Sequence, residues 1–156
     1  MKPRTRWVLL AYRLPREPST PRINLWRQLR RLGVGQIADG VAALPLDART
    51  RERFEWLAQD VIENGGEAMV WLAEPGSAAQ ERALAAEMAA TVAAEYTRVI
   101  DEASAHIHGS AARRRTVARL RRELRRIASR DYFPEPIAGR ARAAVDRLGD
   151  TLEAAS

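Results

Sequence analysis

Residues 7–12 read WVLLAY, an uninterrupted apolar run near the start of the chain. A short, continuous run of this kind is typical of a β-strand that is covered on both faces. Thr20 and Pro21 then supply an N-cap and a first-turn proline for a helix, whose apolar stripe ends at Gly33. The chain therefore opens with a strand followed by a helix.

The same alternation of strands and helices continues through the first half of the chain. Two short apolar runs are joined through Asp39 and Gly40, a pair that is typical of a β-hairpin. Asp47 can cap a second helix, and residues 68–73 (AMVWLA) form a fourth strand. The resulting order of strand, helix, strand, strand, helix, strand predicts a ferredoxin-like βαββαβ unit over residues 1–76.

Residues 77–156 are rich in alanine and have helical periodicity throughout. They predict three helices, of which the second begins near Ser110 and the third follows Pro136. Because the first strand is apolar at every position, the sheet face away from the two βαββαβ helices needs a cover, from these helices or from a second subunit. The predicted fold class is therefore α+β, with the three-helix C-terminal extension packed on or beside the sheet.

The composition limits the classes of protein to which the chain can belong. The 156 residues are 46% hydrophobic, which is enough for a real core, and the absence of cysteine excludes disulfides and a thiol nucleophile. No apolar run reaches the length of a signal-peptide core or a membrane span, so we expect a soluble, cytoplasmic protein without a membrane partner. Each tryptophan belongs to an apolar run or stripe, so core packing is the predicted role of Trp7, Trp26, Trp56 and Trp71.

Residues 113–130 form the most highly charged segment of the chain, with nine arginines and a single acid, Glu123. Their local charge of +8 exceeds the formal +6 of the whole protein. Spacings of three, four and three place an apolar stripe on one side of a helix: Val117, Leu120, Leu124 and Ile127. The opposite side carries Arg114, Arg115, Arg119, Arg122, Arg125, Arg126 and Arg130.

A broad positive face of this kind is expected to bind a polyanion such as double-stranded DNA. The alternative is an ordinary solvated helix face, because arginine is a good helix former and exposed helix faces are normally charged. Basic residues are almost entirely arginine, with Lys2 the only lysine, which suits a GC-rich genome as well as it suits phosphate binding. The near absence of acids in the segment favours the polyanion.

A second basic segment joins the first strand to the first helix. A helix N-terminus offers free N–H groups and partial positive charge, and nearby guanidinium and hydroxyl groups would complete an oxyanion pocket. The candidate residues are Arg13, Arg16, Ser19, Thr20 and Arg22. Chromate, sulfate or a DNA phosphate would suit such a pocket. The alternative is that Thr20 only caps the helix and that the arginines pair with acids.

Residues that could perform catalysis or hold a metal are scarce. His106 and His108 are the only histidines, and near a helix end their side chains are expected to diverge. We recognise no paired carboxylates, Ser/His/Asp set or glycine-rich phosphate loop. The sequence therefore predicts no enzyme, no metal site and no cofactor.

Several segments together resemble the N-terminal domain of chromate-resistance regulators of the ChrB type. The segments are WVLLAYRLPREPSTPR at 7–22, LWRQLRRLG at 25–33, DGVAALP at 39–45, RTRERFEWLAQDVIENGGEAMVWLA at 49–73 and LRRELRRIASRDYF at 120–133. The resemblance covers nearly the whole chain, and members described as chromate-responsive regulators carry a second, C-terminal domain. It implies the same fold and a DNA-binding or regulatory role.

These observations predict a DNA-binding transcriptional regulatory protein of the chromate-resistance type, active as a homodimer. In this hypothesis the arginine helix contacts DNA phosphates. The alternatives are a non-catalytic protein-interaction module and a protein that binds a small oxyanion and partners a separate C-terminal-type domain.

Overall fold

The computed structural model describes residues 6–105 and 107–154. They form four strands and five helices: β1 (Trp7–Arg13), α1 (Thr20–Leu32), β2 (Gly35–Ala38), β3 (Val41–Pro45), α2 (Ala48–Glu63), β4 (Glu67–Ala73), α3 (Ala78–Ser104), α4 (Ser110–Ser129) and α5 (Pro136–Ala154). The chain divides into two compact units, unit 1 (Met1–Met88) and unit 2 (Ala89–Ser156). None of the helices so described combines sufficient length and apolar character to cross a membrane.

Unit 1 is built on a four-stranded antiparallel sheet with the strand order β2-β3-β1-β4. The predicted α+β fold class and the predicted order of elements are confirmed. Helices α1 and α2 each follow a strand, as the βαββαβ pattern requires. The strand that opens the sequence, β1, lies in the interior of the sheet because β3 and β4 flank it.

One face of the sheet carries the core of unit 1. Val8 and Leu10 alternate along β1 and are fully buried, as are Leu44 on β3 and Phe54 on α2. Successive residues of a strand point to opposite faces, so these two β1 side chains share the face that α2 covers. Leu25 and Leu29, four residues apart on α1, are also buried. Burial of these apolar side chains is the main term that stabilises unit 1.

The two long helices of unit 1 begin differently. Asp47 caps α2 as predicted: its carboxylate accepts from the backbone N–H of Thr50 (2.7 Å), and the Thr50 hydroxyl accepts from the N–H of Asp47 (3.0 Å). In α1 the N-cap is Ser19, which makes no side-chain capping hydrogen bond, and Thr20 is already the first helical residue. The predicted Thr20 cap was therefore wrong by one position.

The tryptophans depart from the expectation of core packing. Trp7 is 2% exposed, but Trp26, Trp56 and Trp71 are 57%, 69% and 57% exposed. An apolar run indicates where a strand or helix lies but does not show which of its faces packs against the core. These three side chains lie on faces that point to solvent. On α1, for example, the ring of Trp26 stacks under the Arg30 guanidinium, 4.8 Å from the ring centroid.

The boundary between the units lies inside α3, later than the division at residue 76 that the sequence suggested. The first turns of α3 belong to unit 1 because they pack on β2. A Cβ added at Gly35 would lie 2.6 Å from Leu84 Cδ1 and 2.9 Å from Met88 Sδ. This packing supplies part of the cover that the second face of the sheet was expected to need.

Unit 2 is entirely helical and contains the rest of α3 together with α4 and α5. Its core includes Tyr96, Leu120 and Val145, one from each helix, all at most 2% exposed. The predicted apolar stripe of α4 is confirmed: Val117, Leu120 and Ile127 are buried, and Leu124 packs against them partly buried.

Candidate nucleic-acid interface

The outer surface of α4 is formed largely by arginine side chains. Because the apolar stripe is docked in the core of unit 2, residues on the opposite side of the helix face solvent. Seven arginines of the helix are exposed: Arg114, Arg115, Arg119, Arg121, Arg122, Arg125 and Arg126. Six of them belong to the set predicted to bind nucleic acid.

Four of these arginines form a straight row along the helix. Arg115, Arg119, Arg122 and Arg126 are separated by four, three and four residues, so successive members lie one above another. At a rise of 1.5 Å per residue the row is about 16 Å long, which corresponds to about five base-pair steps of B-form DNA. The row lies on the side of α4 away from Val117 and Leu124, two members of the docked apolar stripe.

Among the described side chains, acids lie within ion-pair distance of only two members of this row. Arg119 pairs with Glu102 of α3, and Arg126 lies 3.5 Å from the Glu123 carboxylate. At least one side chain in each pair is about half exposed or more, so each pair contributes little free energy and can exchange for a phosphate. Among the residues that the structure describes, no acid lies within ion-pair distance of five exposed arginines: Arg114, Arg115, Arg121, Arg122 and Arg125.

Arg130 has a different environment from the other predicted contacts. Its Nε and Nη2 both donate to Glu95 Oε2 (3.0 and 2.8 Å), and its Nη1 donates to the backbone carbonyl of Arg126 (3.1 Å). The Arg130 and Glu95 side chains are only 17% and 22% exposed. This guanidinium therefore ties the end of α4 to α3, and its donors are already engaged within unit 2.

Two further arginines of α4 were missing from the predicted set. Arg121 is exposed on the flank next to α5, where its Nη2 would lie 3.1 Å from a Cβ added at Gly149. Arg113 is half-buried, and its Nε donates to the carbonyl of Ile107 (3.0 Å). A helical projection could have placed Arg121 on this flank, whereas the Arg113 contact depends on the fold of the preceding turn.

Next to the Arg130 pair, a buried tyrosine holds the turn that follows α4. The Tyr96 hydroxyl donates to Asp131 Oδ2 at 3.1 Å, and the side chain is 2% exposed. Burial, followed by this hydrogen bond and the charge of Asp131, raises the pKa of Tyr96 to about 12. Together with the Arg130–Glu95 pair, this contact fixes α3 against the end of α4.

Replacing Tyr96 with phenylalanine is expected to lower the free energy of unfolding of unit 2 by about 1 kcal/mol at neutral pH, because Asp131 loses its donor. The folded pKa lies above the ordinary value of 10.0, so the hydroxyl's contribution is complete below pH 10 and is lost as the pH rises towards about 12. Urea unfolding followed by far-UV circular dichroism should show the difference between wild type and variant shrinking over this range. A difference that stays constant with pH would contradict the assignment.

The predicted oxyanion residues of unit 1 are only partly brought together. Arg13, Ser19 and Arg22 line one cavity of about 800 Å³, together with Tyr12 and Trp26. Arg13 also pairs with Glu67 at 2.6 Å, an exposed contact. Thr20 lines a separate cleft beside Pro18, and Arg16 lines neither of these two cavities. The oxyanion site therefore stays a prediction that concerns three residues rather than five.

The histidine pair cannot be assessed as a unit, because His106 lies outside the described residues. His108 is exposed in the turn before α4. Over the described ranges, no three histidine, cysteine, aspartate or glutamate side chains form a group that could hold a metal ion.

Comparison with known proteins places the chain in a family. Residues 22–109, more than half of the chain, match the family model described as Protein ChrB, N-terminal. The chain belongs to the ChrB N-terminal family. The resemblance found in the sequence is thereby confirmed, over a region that includes most of α1, strands β2 to β4, α2 and the whole of α3.

A full-length ChrB protein gives a second comparison. Protein ChrB of Cupriavidus metallidurans (strain CH34) is 31% identical over 154 residues, which cover 89% of this chain and 44% of that protein. The chain thus spans less than half the length of this ChrB relative. No solved structure matches the chain.

The ChrB N-terminal match ends at residue 109, one residue before α4 begins. The family-model match therefore rests on strands β2 to β4, most of α1, α2 and α3, whereas the match to Protein ChrB extends over α4 as well. What α4 binds has to be argued from its own geometry and charge.

Proposed function

We propose that the chain is a DNA-binding regulatory protein of the chromate-resistance type, in which α4 contacts the phosphates of duplex DNA. The observation that carries the proposal is the row of exposed guanidinium groups opposite the buried stripe of α4. Membership of the ChrB N-terminal family supports the regulatory part of the proposal. Within the described part of the chain, five exposed arginines of α4 have no acid at ion-pair distance, and this supports the DNA-binding part.

The physical basis of the proposed binding is counterion release. Each arginine that neutralises a phosphate displaces a condensed cation from the DNA, so affinity falls as the salt concentration rises. Arginine also presents a planar group with several donors, which matches the oxygen atoms of a phosphate better than a lysine does. An exposed α-helix with a positive outer row can lie along the major groove and reach the backbone from there.

Phosphate contacts position a protein on DNA, whereas contacts to base edges select the sequence. The guanidinium groups of the row on α4 are suited to phosphate contacts. Any of the four arginines in the row could also contact a base edge, because a guanidinium can donate two hydrogen bonds to guanine. We therefore assign the row to affinity and leave the recognised sequence to experiment.

The experiment is a fluorescence-anisotropy titration of the whole chain with a duplex of about 30 base pairs taken from upstream of its own gene. With about four to six phosphate contacts, the association constant should fall by about two to three orders of magnitude between about 50 mM and about 200 mM salt. A scrambled duplex of the same length measures the non-specific part. Absence of binding at the lower salt concentration, or an affinity that salt does not change, would reject the proposal.

A further inference from the structure

Strand β4 lies at an open edge of the sheet in unit 1. In the strand order β2-β3-β1-β4 it is hydrogen-bonded to β1, and within the described part of the chain no strand pairs with its other side. An edge strand presents a row of backbone N–H and C=O groups that can pair with another chain. Proteins that stay monomeric normally protect such edges.

The other edge of the same sheet, formed by β2, is protected against such pairing. Strand β2 has only four residues, its register with β3 shifts between Gln36 and Ala38, and Leu84 and Met88 of α3 pack over Gly35. A short strand, an irregular register and a covering helix are three devices that prevent pairing with another chain. The β2 edge of the sheet is therefore protected against pairing with another chain.

Strand β4 has none of these devices. Its seven residues pair with β1 in an unbroken register, and it contains neither proline nor lysine. Its one charged residue, Glu67, stands at the start of the strand and pairs with Arg13. A regular edge of this length, with no charged residue after its first position, is suited to pairing with a further strand.

The side chains of β4 add an exposed apolar surface to this edge. Met69 and Trp71 are 62% and 57% exposed, and they lie beside Ala11 and Leu9 of β1 on the sheet face away from the buried Val8 and Leu10. Leu72, on the opposite face, is 38% exposed. Aromatic residues and methionine are enriched at protein interfaces, and adjacent exposed apolar residues on a sheet edge are typical of one.

We propose that β4 pairs antiparallel with β4 of a second copy of this chain, around a two-fold axis at Val70. In this register all seven residues overlap, and Met69 lies opposite Trp71 of the partner subunit, which gives a favourable sulfur–aromatic contact on each side of the axis. Glu67 lies opposite Ala73 of the partner subunit, so no like charges face each other directly. The pairing joins two sheets into one of eight strands.

A second copy is the partner that the edge fits because the strand is complementary to itself. Moving the axis by one residue to Met69 would place Glu67 opposite Trp71 of the partner subunit, and moving it to Trp71 would leave Glu67 and Ala68 outside the overlap. A closed two-fold pair uses the same surface on both copies and leaves no edge open there. The inference concerns unit 1 alone and does not depend on what α4 binds.

The register predicts a specific pair of variants. Because position 69 faces position 71 of the partner subunit, Met69→Glu with Trp71→Glu places like charges opposite each other twice. Met69→Glu with Trp71→Lys places opposite charges there instead. Sedimentation of the whole chain from about 1 to about 100 µM should show a wild-type dimer, and the Glu/Glu variant should associate at least about tenfold more weakly than the Glu/Lys variant.

Both side chains are more than half exposed, so neither variant should unfold unit 1; circular dichroism checks this. Hydrogen exchange of the wild-type chain gives an independent measurement, since the amides of β4 should exchange more slowly as the protein concentration rises. A wild-type chain that stays monomeric at about 100 µM, equal association of the two variants, or β4 exchange that does not depend on concentration would each overturn the proposal.

Discussion

Replacing Arg114, Arg115, Arg122 and Arg125 with alanine is expected to lower the affinity of the chain for duplex DNA, at about 0.1 M salt, by about three orders of magnitude. These are four of the five exposed arginines of α4 with no acid at ion-pair distance in the part of the chain that the structure describes; the fifth, Arg121, lies on the flank next to α5. Each phosphate contact contributes about 0.9 to the slope of log affinity against log salt, so the slope should also become shallower by about four. Alanine is the best helix former, so α4 itself should persist.

A matched control separates α4 from the general charge of the protein. Four exposed arginines of unit 1 can be replaced by alanine with the same change in net charge: Arg27, Arg31, Arg53 and Arg82. This control variant should keep nearly the full wild-type salt slope, because long-range charge is screened beyond about 10 Å at 0.1 M salt. Equal losses in the two variants would show that net charge alone drives binding. An unchanged slope in the α4 variant would remove this helix as the contact surface.

The elements of the fold were predictable because their signals are local. The continuous apolar run of β1, the Asp39–Gly40 turn and the Asp47 cap each involve neighbouring residues, and each was found where the pattern placed it. The apolar stripe of α4 was predictable for the same reason, since residues three and four apart share a helix face. That stripe also predicted six of the seven arginines of α4 that are exposed.

The sequence could not show whether each apolar residue would be buried in the core or exposed to solvent. Trp56 is in a helix with four buried apolar residues, yet it lies on the face away from Phe54 and is 69% exposed. Trp71 alternates with Val70 and Leu72 in β4, and a strand that is apolar on both faces gives no local sign of which face is covered. Burial at these positions depends on neighbours that are distant in sequence.

The same limitation applied to the candidate interface. Local spacing put Arg130 in line with the other arginines at the end of α4, but its partner, Glu95, is 35 residues earlier in the chain. No sequence pattern relates two such positions. The structure therefore divides a set that looked uniform into exposed groups that remain available to a phosphate and one guanidinium that stabilises unit 2.

This division leads to the second prediction. Arg130→Ala is expected to lower the free energy of unfolding of unit 2 by about 2 kcal/mol, because it leaves the largely buried Glu95 carboxylate without its partner. The value lies below that for a fully buried pair because about a fifth of each side chain remains exposed. Glu95→Ala should have a similar effect, since it leaves the guanidinium unpaired in the same way.

Unfolding of the two units can be followed separately, because all four tryptophans lie in unit 1. Far-UV circular dichroism should therefore show a destabilised helical transition in the Arg130→Ala variant, while tryptophan fluorescence should report an unchanged transition of unit 1. Arg125→Ala, which removes an exposed arginine from the same helix, is the matched control and should change stability by less than about 0.5 kcal/mol.

DNA affinity should show the reverse pattern: Arg125→Ala should weaken binding, and Arg130→Ala should have little effect on it. Arg125→Ala should make the salt slope shallower by about one, whereas Arg130→Ala should leave it nearly unchanged, because a guanidinium already bound to Glu95 neutralises no phosphate. An arginine of α4 thus acts on DNA affinity where its side chain is exposed, and on the stability of unit 2 where it forms a largely buried pair with an acid of α3. A salt slope that falls in the Arg130→Ala variant, with its stability unchanged, would show that the pair opens to reach DNA and that the division is wrong.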